Sequence, residues 1–223
     1  MYIIIIGLGG IGRNLAAISV EHGDSVVVID KDEGRCSEIL EHYDLLAIAG
    51  NATDRSILEE AGIDRADALV STTSDDAVNL MTCWLAKKFN VSTVVSIVNS
   101  TEHSDLFTEV GVKISENPDE LVANRLYYWS ENPNMQQLAT IPGGIIFEIE
   151  VEEGALLVDQ EIRELDVKDF VFIAIKRAGG DLIIPSGKVR IRPHDIITVF
   201  TKKEAEDECL RILNNQLKKR SGN

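Results

Sequence analysis

The run Gly7-Leu8-Gly9-Gly10-Ile11-Gly12 follows an apolar stretch at 2–6 and leads into a helical pattern, the layout of a phosphate-binding turn. Each glycine answers a separate steric demand. Gly7 turns the chain from strand to helix, Gly9 lets backbone approach a pyrophosphate, and Gly12 lets the helix lie close on the strand. Free N–H groups of the first helical turn then face the phosphate, reinforced by roughly half a unit of positive charge from the aligned peptide dipoles. Asp30 stands 18 positions after Gly12, at the end of the next apolar run. Its carboxylate there can accept both hydroxyls of an adenosine ribose and repel a 2′-phosphate, which favours NAD or an adenine nucleotide over NADP. The competing role for Asp30 is a solvated turn residue, or a cap for the helix after Lys31-Asp32.

Two further segments belong at the same edge, because ligands of open α/β sheets sit at the carboxyl ends of the strands. Gly50-Asn51-Ala52-Thr53-Asp54 follows the third apolar run and would flank an adenine. Thr72-Thr73-Ser74 follows the fourth and would turn hydroxyls and N–H groups toward the phosphates. Taken alone, either segment also has the chemistry of a helix cap. Arg13, in the first helical turn, either reaches a terminal phosphate or lies on the surface. A hydride-transfer enzyme would need a proton donor beside the nicotinamide, yet His22, His42, His103 and His194 are scattered. No Ser/His/Asp constellation, metal-ligand spacing or phosphate-loop lysine is legible. The residues describe a binding site without an evident reaction.

These residues need a parallel sheet to hold them. Short aliphatic runs alternate with helical patterns up to about residue 115, the signature of βαβ units buried on both faces. Strands are expected at 2–6, 25–29, 45–49, 68–71, 94–98 and 112–114, with five helices between them. The first helix runs over 10–22 and the fourth follows Ser74-Asp75-Asp76 to Lys88. Asn117-Pro118 opens one more helix over 121–129, which stops near Asn132-Pro133. Beyond it Ile145, Phe147, Ile149 and Val151 alternate with Glu148, Glu150 and Glu152, a strand with one wet face. Further strands are expected at 171–176, 182–184 and 196–200, with Ala178-Gly179-Gly180-Asp181 as a hairpin turn and a closing helix over 203–218. The expected fold is a Rossmann-like doubly wound parallel sheet followed by a smaller α+β domain. Its domains are 1–117, a connector at 118–135, and 136–223.

Composition narrows the partners. The net charge of −15 argues against a nucleic-acid groove and against docking on anionic lipid, since both need clustered Lys and Arg. Residues 1–120 hold 8 basic and 21 acidic side chains, so most of the excess lies in the first half. Cys36, Cys83 and Cys209 are odd in number and far apart, and read as reduced, mostly buried thiols. No signal peptide precedes the first strand and no apolar run reaches the ~20 residues that span a bilayer, so any membrane role is expected to act through a partner.

Several longer runs carry a resemblance. Gly7-Leu8-Gly9-Gly10-Ile11-Gly12-Arg13-Asn14-Leu15-Ala16, Val26-Val27-Val28-Ile29-Asp30-Lys31-Asp32, Gly50-Asn51-Ala52-Thr53-Asp54, Leu58-Glu59-Glu60-Ala61-Gly62-Ile63 and Thr73-Ser74-Asp75-Asp76-Ala77-Val78-Asn79 are similar to the Trk/Ktr regulatory subunits, also called RCK proteins. Asp159–Leu165, 171–177 and Pro193-His194-Asp195 onward resemble the small C-terminal domain of that family. The resemblance implies a cytosolic subunit, peripheral on the inner membrane face, that forms dimers and a ring under a membrane potassium-transporting subunit. It implies NAD(H) or ATP/ADP in the crevice, with contacts from Gly7, Leu8, Gly9, Gly10, Ile11, Asp30, Asn51, Ala52, Thr73 and Ser74. With Gly12, Arg13, Lys31 and Thr72 these make the expected site. Two positions depart from the family: Ser96-Ile97 stands where many members carry Ala-Arg, and His194-Asp195 replaces Gly-Asp. The alternatives are a small NAD-dependent oxidoreductase and a regulator of another ion transporter.

Overall fold

The isoleucine run at the start of the chain forms β1 (Tyr2–Ile6), in which Ile3 to Ile6 are all buried. A continuous β-branched run of this kind suits a parallel strand covered on both faces. The computed structural model describes residues 1–112, 114–131, 133–155, 157–165 and 169–213. The chain divides into two units, Met1–Leu121 and Val122–Asn223.

In the first unit β1 is followed by α1 (Gly10–Glu21), β2 (Ser25–Asp30), α2 (Glu33–Leu40), β3 (Leu46–Ala49), α3 (Arg55–Glu60), β4 (Ala68–Ser71), α4 (Asp76–Lys88), β5 (Thr93–Ile97), α5 (Ser104–Val110) and β6 (Ile114–Glu116). The strands make one parallel sheet in the order β3-β2-β1-β4-β5-β6. Alternate strand residues feed two cores. Ile3, Ile5, Val26 and Val28 pack with Ala16 and Ile39 on one face. Ile4, Ile6, Val27 and Leu69 pack with Leu58, Cys83 and Phe107 on the other. The chain order reverses at β1, so the loop after it lies at the switch point where such sheets bind ligands.

The expected strand at 112–114 begins later. Gly111 ends α5 with φ +82°, and the Val112 N–H donates to the Phe107 carbonyl, so residue 112 is still engaged in the helix cap. Residue 113, within that expected strand, lies outside the described residues.

A helix over Pro118–Glu131, α6, begins three residues before the expected 121. Pro118 is pre-set for the first helical position, and Asn117 caps it by accepting the Glu120 N–H at 3.1 Å.

The second unit holds an antiparallel sheet of β7 (Met135–Ile141), β8 (Gly144–Glu150), β9 (Phe170–Lys176), β10 (Leu182–Ile183) and β11 (Ile196–Lys202), in the order β10-β9-β11-β8-β7. Strand β7 was absent from the sequence expectation. A register shift between Gln137 and Ala139 breaks its alternation, so Met135 is buried while Leu138 and Ile141 are exposed. The closing helix begins later than expected: a 3₁₀ turn at Lys203–Ala205 precedes α7 (Glu206–Leu213), and residues 214–218 of the expected helix lie outside the described residues. Its Cys209, Leu210 and Leu213 join Phe147, Ile149, Ile175 and Val199 in the core. The three cysteines are free and buried, and burial pushes the Cys83 thiol up to about 11 and Cys209 up to about 12. Among the described residues no helix is long and apolar enough to cross a membrane.

His194 occupies a left-handed turn with φ +62°, a conformation that glycine adopts without penalty. Its Nδ1 lies 2.9 Å from Glu150 and its Nε2 3.6 Å from Glu153. The Glu150 bond, opposed by a smaller effect of burial and assisted by Glu153, raises its pKa above the ordinary value. That ion pair therefore supports the fold fully below about pH 6.5 and is lost as pH rises through the higher folded value. Replacing His194 with Gly should raise the melting temperature at pH 9, with a smaller gain at pH 5.5. Thermal melts showing the same gain at both pH values would contradict this balance.

Candidate functional site

Four strand ends and one loop converge on a cavity of about 470 Å³ in the first unit. The loop after β1 and the start of α1 supply Gly7, Gly9, Gly10 and Ile11; β2, the turn after it and α2 supply Asp30, Lys31 and Arg35. Gly50, Asn51 and Ala52 follow β3, and Thr72, Thr73, Ser74 and Asp75 follow β4. Ile97 and Asn99 come from the end of β5, and Pro118 and Asp119 from the first turn of α6.

The loop after β1 is shaped by steric necessity. Gly7 has φ +91°, and a Cβ there would meet Thr73 Cγ2 at 3.0 Å. At Gly12 a Cβ would stand 1.8 Å from the Gly7 carbonyl oxygen and 2.6 Å from Thr72 Oγ1, so only glycine lets α1 lie this close to the strand end. Gly9 and Gly10 instead face open space. The N-cap position of α1, Gly9, makes no side-chain cap and the first turn carries no acid. Its N–H groups are thus left for an outside acceptor, which suits a pyrophosphate.

Asp30 is held at the end of β2, on the cavity wall. Only 8% exposed, it accepts the Leu8 N–H at 2.6 Å and the Asp32 N–H at 2.9 Å. Arg35 Nη1 lies 3.7 Å from the same carboxylate. Each carboxylate oxygen has two lone pairs, so the group retains acceptor capacity toward the cavity. The Asp32 side chain, not Asp30, caps α2 by accepting the Arg35 N–H.

The structure places Gly7, Gly9, Gly10, Ile11, Asp30, Lys31, Asn51, Ala52, Thr72, Thr73 and Ser74 on the cavity wall. Leu8, Gly12 and Arg13 are not among its lining residues. Leu8 is wholly buried and takes part through its N–H to Asp30. Gly12 acts by close packing. Arg13 is drawn away to Glu38, 2.6 Å distant on α2, a partner that spacing along the chain does not reveal. The lining also includes Arg35, Asp75, Val78, Ile97, Asn99, Pro118 and Asp119, which the glycine fingerprint gives no means of finding.

Behind the wall lies a polar network. Asn79, wholly buried, accepts from Ser71 Oγ, Thr73 N–H and Thr73 Oγ1 and donates to the Thr73 carbonyl at 2.9 Å. Such a fully engaged amide fixes the Thr73 backbone. Asp76 does the same for the loop after β5, accepting the Asn99 and Ser100 N–H groups, the Asn99 side chain and His103 Nδ1 at 2.7–3.0 Å. Burial would push its carboxyl up, but these hydrogen bonds, led by the Asn99 N–H, hold it below the usual carboxylate range. Asn99 also donates to the Thr73 carbonyl at 3.1 Å, and Asn117 Nδ2 donates to the Asn99 carbonyl at 3.3 Å. The wall after β4, the loop after β5 and the cap of α6 are thereby joined.

The contact at Gly12 gives a direct test. Gly12→Ala should destabilise the protein by about 1–3 kcal/mol, the usual cost of overpacking, and lower its affinity for adenine nucleotides. A variant with wild-type melting temperature and affinity would show that the close approach is not required.

A TrkA-N domain matches residues 3–118 and a TrkA-C domain matches residues 146–214. A Trk system potassium uptake protein TrkA homolog of Pyrococcus abyssi is 32% identical over 225 residues, covering 97% of this chain and 99% of the relative. One from Methanothermobacter thermautotrophicus is 28% identical, covering 95% and 98%. The structure of the GsuK channel bound to NAD superposes with a TM-score of 0.64 at 16% identity, over 96% of this chain and 39% of the channel chain. That last likeness concerns the fold. Two domain matches and a relative aligned over nearly its whole length make this chain a member of the TrkA family.

Proposed function

We propose that this chain is a nucleotide-sensing regulatory subunit of a membrane potassium uptake system, binding NAD(H) or ATP/ADP without turning them over. The observation that carries the ligand is the uncapped N-terminus of α1, set beside a carboxylate at the end of β2. Together they fit a phosphate flanked by an adenosine ribose. The kinship with Trk uptake proteins supports the potassium system and a membrane transporter as partner. The protein acts on that partner from the cytoplasmic face, as dimers assembled into a ring. Residues 1–117 hold the nucleotide, 118–135 connect, and 136–223 form the second lobe.

Binding without turnover is supported by what lines the cavity. His22 bonds the Ile18 carbonyl, His103 pairs with Asp76 and His194 with Glu150. Among the described residues the cavity wall holds no histidine, cysteine or tyrosine. A ligand regulates only if it binds two conformations with different free energy, and a few kcal/mol reverses a population. The Asn99–Asn117 link supplies a route, because a ligand that tightens the wall at Thr73 also bears on the cap of α6.

Calorimetry of the purified protein should show saturable binding of at least one of NAD, NADH, ATP and ADP, with the nucleotide recovered unchanged. Asp30→Ala removes both the ribose acceptor and the anchor of the loop, so affinity should fall at least about tenfold. Unchanged affinity in that variant would remove Asp30 from the site, and consumption of NADH with a substrate would replace the regulator by an oxidoreductase.

A further inference from the structure

Resting on the reading of this chain as a self-assembling subunit and deepening it, we propose that the open face of the antiparallel sheet seats a second copy of this chain. The two sheets pack face to face about a twofold axis along β11. Alternation divides the sheet into two faces: Ile145, Phe147, Ile149, Ile197 and Val199 enter the core with α7, which leaves Ile146, Glu148, Thr198 and Phe200 on the other side. A sheet face left to water normally carries polar side chains. Here one row across four strands, Val171, Phe200, Ile146 and Ala139, is apolar throughout. On the β9 side the apolar surface widens, with Val171 59%, Ile173 42%, Leu182 70% and Ile184 87% exposed. The Phe200 ring lies against β8 at Gly144, where a Cβ would stand 2.3 Å from it.

The charges on this face say what fits it. Lys176, Ile196 and Glu150 form a second row, with the base on β9, the acid on β8 and β11 between them. Rotation about β11 exchanges β9 with β8 and keeps every row at its own height. Lys176 then stands opposite the partner's Glu150, and the reverse contact repeats it. In the apolar row Val171 meets the partner's Ile146, and Phe200 meets the partner's Phe200. An axis across the strands would instead carry the charged row over the apolar one. Overall charge favours self-association here, since residues 121–223 hold 14 basic and 16 acidic side chains, against 8 and 21 in residues 1–120. Strands spaced about 4.8 Å and up to seven residues long present on the order of 500 Å² on this face. Two such faces bury about 1,000 Å², the size a specific interface needs.

The test combines sedimentation of the full chain with crosslinking between single cysteines. Val171→Glu changes a side chain exposed in the single chain, so the fold should hold, but it sets a carboxylate against the partner's Ile146. Association should weaken at least about tenfold and the mass of the assembly should fall. Thr198→Cys places a thiol on β11, beside the axis, and a short bis-maleimide should join two chains there. Gln136→Cys lies in the same row but two strands away, so the axis would separate its two copies by about 20 Å and they should stay unjoined. The native cysteines are buried and leave this comparison clean. A parent protein that stays monomeric would overturn both the proposal and the reading of a self-assembling subunit. An oligomer whose mass is unmoved by Val171→Glu would overturn the proposal alone and leave the face to another occupant. So would crosslinking at Gln136→Cys without crosslinking at Thr198→Cys.

Discussion

Everything at the cavity depends on how closely α1 can rest on the end of β1. The missing side chain of Gly12 allows the helix to touch the Gly7 carbonyl, and Thr72 fastens that carbonyl from the next strand with a 3.0 Å hydrogen bond. The same hydroxyl bonds the Ile6 carbonyl at 2.9 Å. With the helix seated, its unpaired N–H groups lie over the strand ends, the arrangement that receives an anion. Asp30 then holds the loop from the other side through Leu8. A longer side chain at Gly12 would move the helix end away from all of these partners together.

Around this centre the protein spends its polar side chains on rigidity. Ser71, Thr73, Asn79, Asp76 and Asn99 are engaged mainly with one another and with backbone, and a satisfied network of this kind specifies one arrangement of loops. For the sensing role proposed above rigid walls matter, because binding energy that merely orders a loose loop is not available to bias a conformation. The placement of the network also explains why the first turn of α6 contributes to the cavity wall. Its cap, Asn117, reaches back to the Asn99 carbonyl.

Features set by local steric rules were legible in the sequence: the glycine turn, the acid at the end of β2, the strand and helix order of the first unit, and the Asp75 cap of α4. Features set by long-range meetings were not. Arg13 has the position of a phosphate ligand but lies against Glu38, which only the fold brings near. Asn79 and Asp76 sit in a recognisable run, yet their partners at residues 97–103 become neighbours only when β5 pairs with β4. Strand β7 was hidden because a bulge destroys the alternation by which a strand is read. Its neighbour β8, with unbroken alternation, was plain.

The central claim is that the loop after β1 and Asp30 together hold a nucleotide, and the most direct measurement is a crystal structure of the protein with bound NAD. The map should place the pyrophosphate on the N–H groups at the start of α1 and the adenosine ribose within hydrogen-bond distance of the Asp30 carboxylate. Phosphates lying away from α1, or a ribose out of reach of Asp30, would contradict it.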